Sequence, residues 1–521
     1  MLNTPSSYRG MVTAPHHLAT QAGLDVLKDG GTAREAAVAV AATLAVVYPH
    51  MNSIGGDSFW LIREPNGEIS SVHGCGGAAA KADLSLYRGL PAVPWRGPLA
   101  ANTVAGTISA WQAVLEGAKL PLERLLHDAI FYAENGVAVT QGGADLAAAK
   151  DAELRDVFGY SAVFRPNNRP LQAGERLKQP ALAGTLRRLV KESLDSFYSG
   201  ALACDIAADL EAAGSPVSAD DLAAHVATKP HPLHTRIGGA DLYNAAPPTQ
   251  GFASLLILAL YDRLKSKDGA FAHVHGLVEA TKRAFILRDR HIGDPAHMDF
   301  DPQALLSDSA ALYAVAAGID PARAMPWPHE PALGDTVWFG VIDAEGRAVS
   351  AIQSTYFEFG SGLVLPQTGI IWQNRGASFK LSEQGWNALK PGRKPFHTLN
   401  PALATFDDGR VMAYGTMGGE GQPQTQGALF TRYATGMGLQ AAITAPRWLL
   451  GRTWGEDSVT LKLEDRFDAA LYEDLRAAGH AVEIVAPFTA MMGHAGALVR
   501  HGDGRIEGAT DPRSDGSVAA W

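Results

Sequence analysis

The sequence predicts an α+β fold in which a mainly helical first part precedes a strand-rich second part. Residues 104–213 are rich in Ala and Leu, and their apolar side chains recur at helical spacing. From Thr336 onward, alternating, β-branched and aromatic residues dominate instead. With 521 residues, of which 46% are hydrophobic and 19% charged, the chain is long and apolar enough to bury a large core.

Hydrophobic spacing and turn residues place the individual elements. The predicted helices are Thr20–Lys28, Ala33–Val47, Leu122–Glu134, Gly143–Arg155, Ala181–Leu194, a short helix starting at Ala219, Gln250–Lys265, His275–His291, Gly421–Met437 and Asp468–Ala478. The predicted extended segments of the first part are Phe59–Arg63 and Ile69–Val72, which flank a Pro-Asn-Gly turn, and His231–Tyr243. Residues Asp294–Leu333, rich in Pro, Asp and Ala, are expected to form an exposed loop.

Composition and charge argue against several classes of partner. A net charge of −10 without a basic stripe disfavours nucleic-acid binding. The longest apolar run, Ala36–Tyr48, is too short to span a membrane and suits a buried helix. No secretory pattern is seen at the N-terminus, so a cytoplasmic protein is expected. Cys75 and Cys204 lack disulfide-framework or metal-site spacing, and both are expected to be small core residues.

No metal and no cofactor are predicted. The pairs His273/His275 and His231/His234 lack a carboxylate or cysteine that completes a set at standard metal-binding spacing. The Gly-Gly-Glu-Gly run of residues 418–421 lacks the Lys-Ser/Thr pair of a phosphate loop and is not predicted to connect a strand to a helix as such a loop does.

The segment 334–362 contains the candidate nucleophile. Thr336 opens a strand that ends at Asp343, and Ala348–Gln353 is predicted to return as the second strand of a hairpin. A threonine hydroxyl is a weak nucleophile within a chain, but an α-amino group on the same residue can act as its general base. Attack of the Thr336 hydroxyl on the Asp335 carbonyl would cut the chain and free that amine, whose pKa is about 7.7–8.0. Otherwise a threonine at this position is only a strand former.

Ordered motifs along the chain give this hypothesis its weight. They are 10–62 with Gly55-Gly56, Leu99–Gly106, Ala246–Gly251, Glu279–Pro295, Phe359–Gly362, Lys394–Leu403, Thr416–Gly421, Ala445–Trp448 and Ala509–Gly516. In this order, over nearly the full length, the chain resembles the γ-glutamyltranspeptidase family of N-terminal-nucleophile hydrolases.

That resemblance implies a four-layer αββα fold shared by two subunits cut from one precursor. The large subunit would comprise residues 1–335 and the small subunit residues 336–521, together forming one composite domain. The two subunits would form a heterodimer, or a dimer of such heterodimers. The cut would fall between Asp335 and Thr336, with Thr336 as the nucleophile.

The resemblance also implies roles for residues around Thr336. Gly418 and Gly419 match a glycine pair whose N–H groups stabilise the oxyanion, although a glycine pair can also be a simple turn. Ser354 matches a hydroxyl that orients the nucleophile's amine. Thr355 is the alternative if the register differs by one residue, and a solvent-facing hydroxyl is the other interpretation.

The predicted pocket departs from that of γ-glutamyl-specific relatives. Leu84 stands where they hold an arginine for the α-carboxylate of the donor, and Arg88 is the nearest arginine. Ser378 stands where they hold an aspartate for the α-amino group. Recognition of a zwitterionic amino acid is therefore not expected.

Five residues are predicted to bind substrate instead: Tyr356, Asn374, Arg375, His397 and Thr398. Arg375 can bind a carboxylate through two parallel hydrogen bonds, which suits an acyl group with an acid and no amine. A surface or ion-paired arginine is the alternative.

The predicted function is a self-processing amidohydrolase that cleaves the amide of a small carboxylate-bearing substrate through an acyl-threonine intermediate. The pocket resembles the branch of the family that hydrolyses oxamate to oxalate and ammonia. Two alternatives stay open: a γ-glutamyl hydrolase or transferase acting on glutathione or related compounds, and a non-catalytic, unprocessed scaffold.

Overall fold

Two antiparallel sheets packed face to face form the centre of the protein in the computed structural model, which describes residues 3–264, 268–327, 335–451 and 458–521. In spatial order, the six-stranded sheet contains β18 (Ser517–Ala520), β2 (Gly10–Ala14), β9 (Asp335–Asp343), β10 (Ala348–Tyr356), β3 (Asp57–Arg63) and β4 (Ile69–Gly74). The seven-stranded sheet contains β1 (Ser6–Ser7), β17 (Ile506–Thr510), β16 (Ala495–Arg500), β12 (Val411–Thr416), β11 (Ala402–Phe406), β8 (Ala240–Asn244) and β7 (Leu233–Ile237).

Two small sheets complete the strands of the described residues. They are β13 (Trp448–Leu450), β14 (Leu461–Glu464) and β15 (Val482–Val485) in one, and β5 (Val137–Ala138) and β6 (Arg176–Leu177) in the other.

Helices cover the outer faces of the two large sheets. The α-helices are α1 (His17–Lys28), α2 (Ala33–Val47), α3 (Thr107–Val114), α4 (Leu122–Asn135), α5 (Gln141–Ala149), α6 (Asp151–Leu154), α7 (Tyr160–Phe164), α8 (Pro180–Glu192), α9 (Ala201–Ala213), α10 (Ala219–Ala223), α11 (Gly251–Asp262), α12 (Gly269–His291), α13 (Pro302–Ser307), α14 (Ser309–Ala317), α15 (Gly421–Ala434), α16 (Leu439–Thr444) and α17 (Ala469–Ala477). Short 3₁₀ turns lie at Leu194–Phe197, Pro295–His297, Arg375–Ser378 and Ala490–Met492.

Side-chain alternation along β9 shows how the layers stack. Val337, Phe339 and Val341 share a core with the buried face of α2. Ile342, on the opposite face, packs with residues of both sheets. Residues of α11, α12 and α15 form a further core with β11, β12 and β16. The order helix, sheet, sheet, helix confirms the predicted αββα fold.

Both large sheets combine strands from before and after residue 335. β9 lies between β2 and β10, and β10 also pairs with β3. In the second sheet, β11 pairs with β8. The two predicted subunits therefore share one core, and neither sheet is complete without strands from both.

Trp338, two residues after the candidate nucleophile, fixes the spacing between the sheets. Its indole fills space left by glycines of the opposite sheet: a Cβ at Gly415 would lie 2.2 Å from its Cδ1, and one at Gly496 would lie 2.4 Å from its Cζ3. The indole N–H donates to the Ser350 hydroxyl at 3.0 Å. This wedge holds the start of β9 at a set distance from the end of β12.

The structure corrects several sequence predictions. Residues Asp294–Leu333 are not all loop, because Asp301 and Asp308 cap the N-termini of α13 and α14 with their carboxylates. Residues 328–333 of that segment lie outside the described residues. The predicted helix Gly143–Arg155 divides into α5 and α6, and His231–Tyr243 is the hairpin of β7 and β8.

The two cysteines differ in exposure. Cys75 is buried and burial raises the pKa of its thiol to about 12, whereas Cys204 is exposed on α9 and not a core residue as predicted. Neither forms a disulfide. Among the described helices, none combines the length and apolarity needed to cross a membrane.

Candidate active site

Thr336 is fully buried near the N-terminal end of β9. Val337 pairs with Gln353, but Asp335 pairs with Tyr356, so two residues of β10 lie opposite Thr336 alone. An extra residue in one strand is a β-bulge, which bends the strand and re-aims its side chains. The predicted hairpin is confirmed, and its irregular point lies at the candidate nucleophile.

The two residues at the bulge are Ser354 and Thr355. The Ser354 hydroxyl accepts a hydrogen bond from the Tyr356 N–H at 2.8 Å, whereas the Thr355 hydroxyl donates to a backbone carbonyl two residues on at 3.2 Å. Ser350, on the same strand, faces the second sheet through its bond to the Tyr414 carbonyl. The pairing of β10 with β3 stays regular up to Ser354, which pairs with Asp57, so the alternation of the strand gives Ser354 the same facing as Ser350. This favours Ser354 over Thr355 as the orienting hydroxyl.

Gly418 and Gly419 form the turn between β12 and α15. Their φ angles of 118° and 52° lie in the left-handed region, which glycine adopts with little strain. Their carbonyls accept hydrogen bonds from the N–H groups of Gly421 at 2.8 Å and Gln422 at 3.3 Å. Within the described part of the chain, no acceptor takes the N–H of Gly418 or Gly419. Two open N–H groups beside a helix N-terminus suit an anion such as an oxyanion.

The surroundings of this turn also correct a sequence prediction. A strand, β12, does precede the Gly-Gly-Glu-Gly run, and a helix, α15, does follow it. The run is followed by Gln422-Pro423, so the Lys-Ser/Thr pair that would contact phosphates and a metal ion is still missing.

Arg375 is buried, with 1% of its surface exposed, at the start of the Arg375–Ser378 turn. Its Cζ lies 3.9 Å from the centre of the Tyr356 ring, and its Nη1 donates a long 3.4 Å hydrogen bond to the Thr398 hydroxyl. Among the described residues no carboxylate forms an ion pair with Arg375, and its buried Nη2 has no hydrogen-bond partner. Arg375 is therefore neither a surface residue nor ion-paired within this part of the chain.

The charge on Arg375 persists despite its burial. Burial lowers the pKa of the guanidinium to about 10, while nearby Tyr356, Asp57 and Cys75 act in the opposite direction. At neutral pH the group stays protonated. A buried cation with an unpartnered donor nitrogen lacks a counter-charge and a hydrogen-bond acceptor. A small carboxylate can supply both.

His397 has a supporting position, because both of its ring nitrogens face protein acceptors. Nδ1 lies 2.8 Å from the Pro395 carbonyl, and Nε2 lies 2.9 Å from Asp57 Oδ2. Burial and the nearby charge of Arg375 lower the pKa of His397, and Asp57 opposes them. The ring is held beside Thr398 with no nitrogen free for a substrate.

Asp57, at the start of β3, had no role in the sequence prediction. It is fully buried, and its Oδ1 accepts hydrogen bonds from the Gly106 N–H at 3.0 Å and Gln373 Nε2 at 3.1 Å. It therefore links His397 to the backbone of the first part of the chain. Its position directly after Gly55-Gly56 in a motif was the available signal.

The side chains of Asn374 and Gln250 hydrogen-bond the backbone of the segments around the candidate site. The Asn374 side chain accepts from the Phe357 N–H at 3.1 Å and donates to the Trp95 carbonyl at 2.8 Å. Gln250 Nε2 donates to the carbonyls of Thr398 at 2.6 Å and Gly419 at 2.7 Å. Asn374 thus uses its amide on protein backbone, and Gln250, which lies in a motif without a predicted role, joins the Thr398 segment to the glycine turn.

The positions that differ from γ-glutamyl-specific relatives supply no other group for the α-carboxylate or the α-amino group of a γ-glutamyl donor. Leu84 packs against the core, and Arg88 is exposed. The Ser378 hydroxyl donates to the Phe396 carbonyl at 3.3 Å.

One cluster of potential metal ligands exists among the described residues, at His275, Glu279 and His480. The sequence prediction overlooked Glu279, which follows His275 by one helical turn, and it had no signal for His480, which comes from beyond α17. Its atoms already have partners: His275 bonds His480 at 2.8 Å and the Asp320 carbonyl at 2.8 Å, and Glu279 bonds Lys282 at 2.6 Å. These contacts form a closed hydrogen-bonded network.

Known proteins resemble this chain over nearly its whole length. The family model described as Gamma-glutamyltranspeptidase matches residues 19–521. The oxamate amidohydrolase proenzyme of Klebsiella pneumoniae subsp. pneumoniae is 54% identical over 99% of this chain and 99% of its own length. A glutathione hydrolase-like proenzyme of Bacillus subtilis is 41% identical over 98% of each chain.

A solved cephalosporin acylase from Bacillus halodurans has a TM-score of 0.92 at 32% identity, covering 100% of this chain and 97% of that chain. The Helicobacter pylori γ-glutamyltranspeptidase structure has a TM-score of 0.56 at 26% identity, covering 60% of this chain and 92% of that chain. The chain therefore belongs to the γ-glutamyltranspeptidase family of N-terminal-nucleophile hydrolases.

Proposed function

We propose that this enzyme is a self-processing amidohydrolase that acts on small amides bearing a carboxylate, with oxamate as the reference substrate. The observation that carries the proposal is the buried guanidinium of Arg375, whose Nη2 has no partner among the described residues. It lies against Tyr356, directly after the bulge opposite Thr336. In oxamate the carboxylate is bonded directly to the amide carbon, so a cation packed against the residue that follows the bulge opposite Thr336 suits it.

The first step is cleavage of the precursor. The Thr336 hydroxyl oxygen attacks the carbonyl carbon of Asp335, the peptide C–N bond breaks, and an ester replaces it. Water hydrolyses the ester, leaving the Asp335 carboxylate and a free Thr336 amine and hydroxyl. The products are residues 1–335 and 336–521, which remain together because each large sheet contains strands of both.

The second step is amide hydrolysis. The Thr336 amine takes the hydroxyl proton as the oxygen attacks the substrate amide carbon, and the oxyanion is stabilised by the N–H groups of Gly418 and Gly419. The amine then passes the proton to the leaving nitrogen, which departs as ammonia or an amine. Water hydrolyses the acyl-threonine ester and releases the acid. Ser354 orients the amine, and Arg375 holds the substrate carboxylate beside Thr398.

The relatives support both steps. The Klebsiella protein carries the name oxamate amidohydrolase proenzyme, and it matches this chain along the whole length of both. Other relatives of lower identity are named glutathione hydrolase proenzymes, including the Escherichia coli protein at 28% identity. An enzyme that binds a γ-glutamyl group needs partners for its α-carboxylate and α-amino group, and here Arg88 is exposed and Ser378 is not acidic.

The proposal is tested by two assays on the purified protein. Ammonia release from oxamate and product release from a γ-glutamyl anilide are measured side by side, and we expect turnover of oxamate to dominate. A denaturing gel with N-terminal sequencing is expected to show a small fragment that begins at Thr336. Strong anilide turnover without ammonia from oxamate would favour the γ-glutamyl alternative. An uncut chain without activity would favour the scaffold.

A further inference from the structure

We infer that Arg96, in the part of the chain that becomes the large subunit, is a positioning residue for the Arg375 pocket in the small subunit. This inference rests on the proposed function of that pocket. Arg96 does not contact Arg375. It acts through the backbone of the loop 356–362, which carries Tyr356, the ring against which the Arg375 guanidinium packs.

The loop 356–362 has a backbone that requires external support. Tyr356 and Phe359 have φ angles of 85° and 59°, a region that side chains other than glycine rarely adopt. Gly360 and Gly362, with φ angles of 57° and 79°, continue the same left-handed path. Such a conformation persists only where surrounding contacts hold it.

Arg96 supplies these contacts. Its Nη1 donates to the carbonyl of Glu358 at 2.7 Å and to that of Gly360 at 2.6 Å, which brackets Phe359. The guanidinium is anchored from the other side by Glu153, 3.1 Å from its Nε. The Arg96 side chain is only 11% exposed, so its two hydrogen bonds to the loop carbonyls are partly shielded from water, whereas Glu153 is 41% exposed.

The residues on either side of Arg96 bind the same region. The Gly97 N–H donates to the Ser361 carbonyl at 2.8 Å, and the Trp95 carbonyl accepts from Asn374 Nδ2 at 2.8 Å. Three consecutive residues of the large subunit thus clasp the loop and the residue before Arg375. The clasp crosses the subunit boundary that cleavage would create.

A series of aromatic contacts links the loop 356–362 to the guanidinium of Arg375. The Trp95 ring meets Phe357 edge-on at 5.8 Å, Phe357 stacks on Tyr356 at 4.4 Å, and Tyr356 lies 3.9 Å from Arg375 Cζ. The backbone turn of Arg375 has separate support, since Gly376 packs so tightly on Asn102 that a Cβ there would lie 1.6 Å from its Oδ1. Loss of Arg96 should therefore loosen the Tyr356 side of the pocket and leave the Arg375 turn in place.

The test uses the variants Arg96→Ala and Arg96→Lys in the processed enzyme, with oxamate as substrate and oxalate as a competitive acid. Weaker binding of the carboxylate in both the ground state and the transition state raises KM without changing kcat, so Arg96→Ala should raise KM for oxamate and Ki for oxalate about tenfold, with kcat within about twofold of wild type. Arg96→Lys keeps the charge but not the forked donor geometry, so it should fall between the two. Arg187→Ala, which removes an exposed arginine paired with Glu134, controls for the loss of an arginine–glutamate pair elsewhere and should change neither constant.

A purely structural role gives a different pattern. It lowers kcat and the active fraction together and leaves KM and Ki unchanged, and that result overturns the inference, as do wild-type constants in Arg96→Ala. If Arg96→Ala fails to fold or to cut itself, the constants of Arg96→Lys decide in the same way. If the wild-type enzyme is inactive on oxamate, both the proposed function and this inference are wrong. If the wild type is active and Arg96→Ala has unchanged constants, only the inference is wrong.

Discussion

Replacing Arg375 with methionine tests the proposed substrate site most directly. Methionine is similar in length and apolar, so the Arg375→Met variant removes the charge and the donors without leaving a large cavity. The guanidinium has one weak neutral contact, at 3.4 Å from the Thr398 hydroxyl, and one nitrogen without a partner among the described residues. Its donors are therefore available to a ligand.

The magnitude follows from the number of bonds that a carboxylate would make. A charge-assisted hydrogen bond contributes about 1.5–3 kcal/mol, and the available geometry gives one strong and one weaker bond, about 3–4 kcal/mol in all. Since about 1.4 kcal/mol corresponds to a factor of ten, kcat/KM for oxamate should fall roughly 10²–10³-fold.

Stability should not fall with activity. The lowered pKa of Arg375 shows that its charged form is disfavoured by burial, and an unpaired buried cation is costly to a fold. Its packing on Tyr356 opposes this, because a desolvated cation–π contact contributes about 2 kcal/mol. The two effects nearly offset, so the midpoint of thermal unfolding should change by only a few degrees.

The assay is ammonia release from oxamate over a range of concentrations, with unfolding followed on the same preparations. Arg432→Met is a matched control, because Arg432 is also buried, has its pKa lowered to about 9 by burial and packs on Trp448 at 5.5 Å. It should leave KM for oxamate unchanged. The reasoning is refuted if Arg375→Met retains kcat/KM within about threefold of wild type. It is also refuted if the variant is several kcal/mol less stable than wild type, the loss expected when a buried structural ion pair is broken.

Further predictions concern cleavage, the oxyanion, the support of His397 and pH. Thr336→Ala should give a folded, inactive chain that runs uncut on a denaturing gel, whereas Thr336→Ser should still be cut, more slowly. Gly418→Ala should lower kcat about 10²-fold with KM little changed in steady-state assays, because its φ of 118° is unsuited to alanine and its N–H would be displaced. Asp57→Asn should reduce the free energy of unfolding in urea by about 1–3 kcal/mol, since it disturbs a fully buried hydrogen-bond network; an unchanged midpoint would contradict this. Because burial lowers the pKa of Arg375 to about 10, the pH profile of kcat/KM for oxamate should decline as pH rises through that value, and Arg375→Met should lack this decline.

Local sequence signals were sufficient for much of the secondary structure. Helix α2 was predicted with both ends correct from its helical spacing after the pair Gly30-Gly31, and the structure adds a capping box of Thr32 and Glu35 at its N-terminus. The hairpin of β9 and β10 was likewise visible in alternation and turn residues. Helices α13 and α14 were missed because their starts depend on aspartate caps inside a segment whose composition suggested a loop.

The sequence by itself also determined which residues are candidates for chemistry, since an ordered set of motifs gives Thr336, Ser354 and the glycine pair their places along the chain. It left the state of Arg375 open between a surface group, an ion pair and a ligand site. Only the tertiary structure showed that Arg375 is buried and, among the described residues, has no ion pair, because solvent and counter-charge at one position depend on segments distant in the chain. Asp57 shows the same limit: it meets His397 across 340 residues of sequence, and no local pattern encodes that contact.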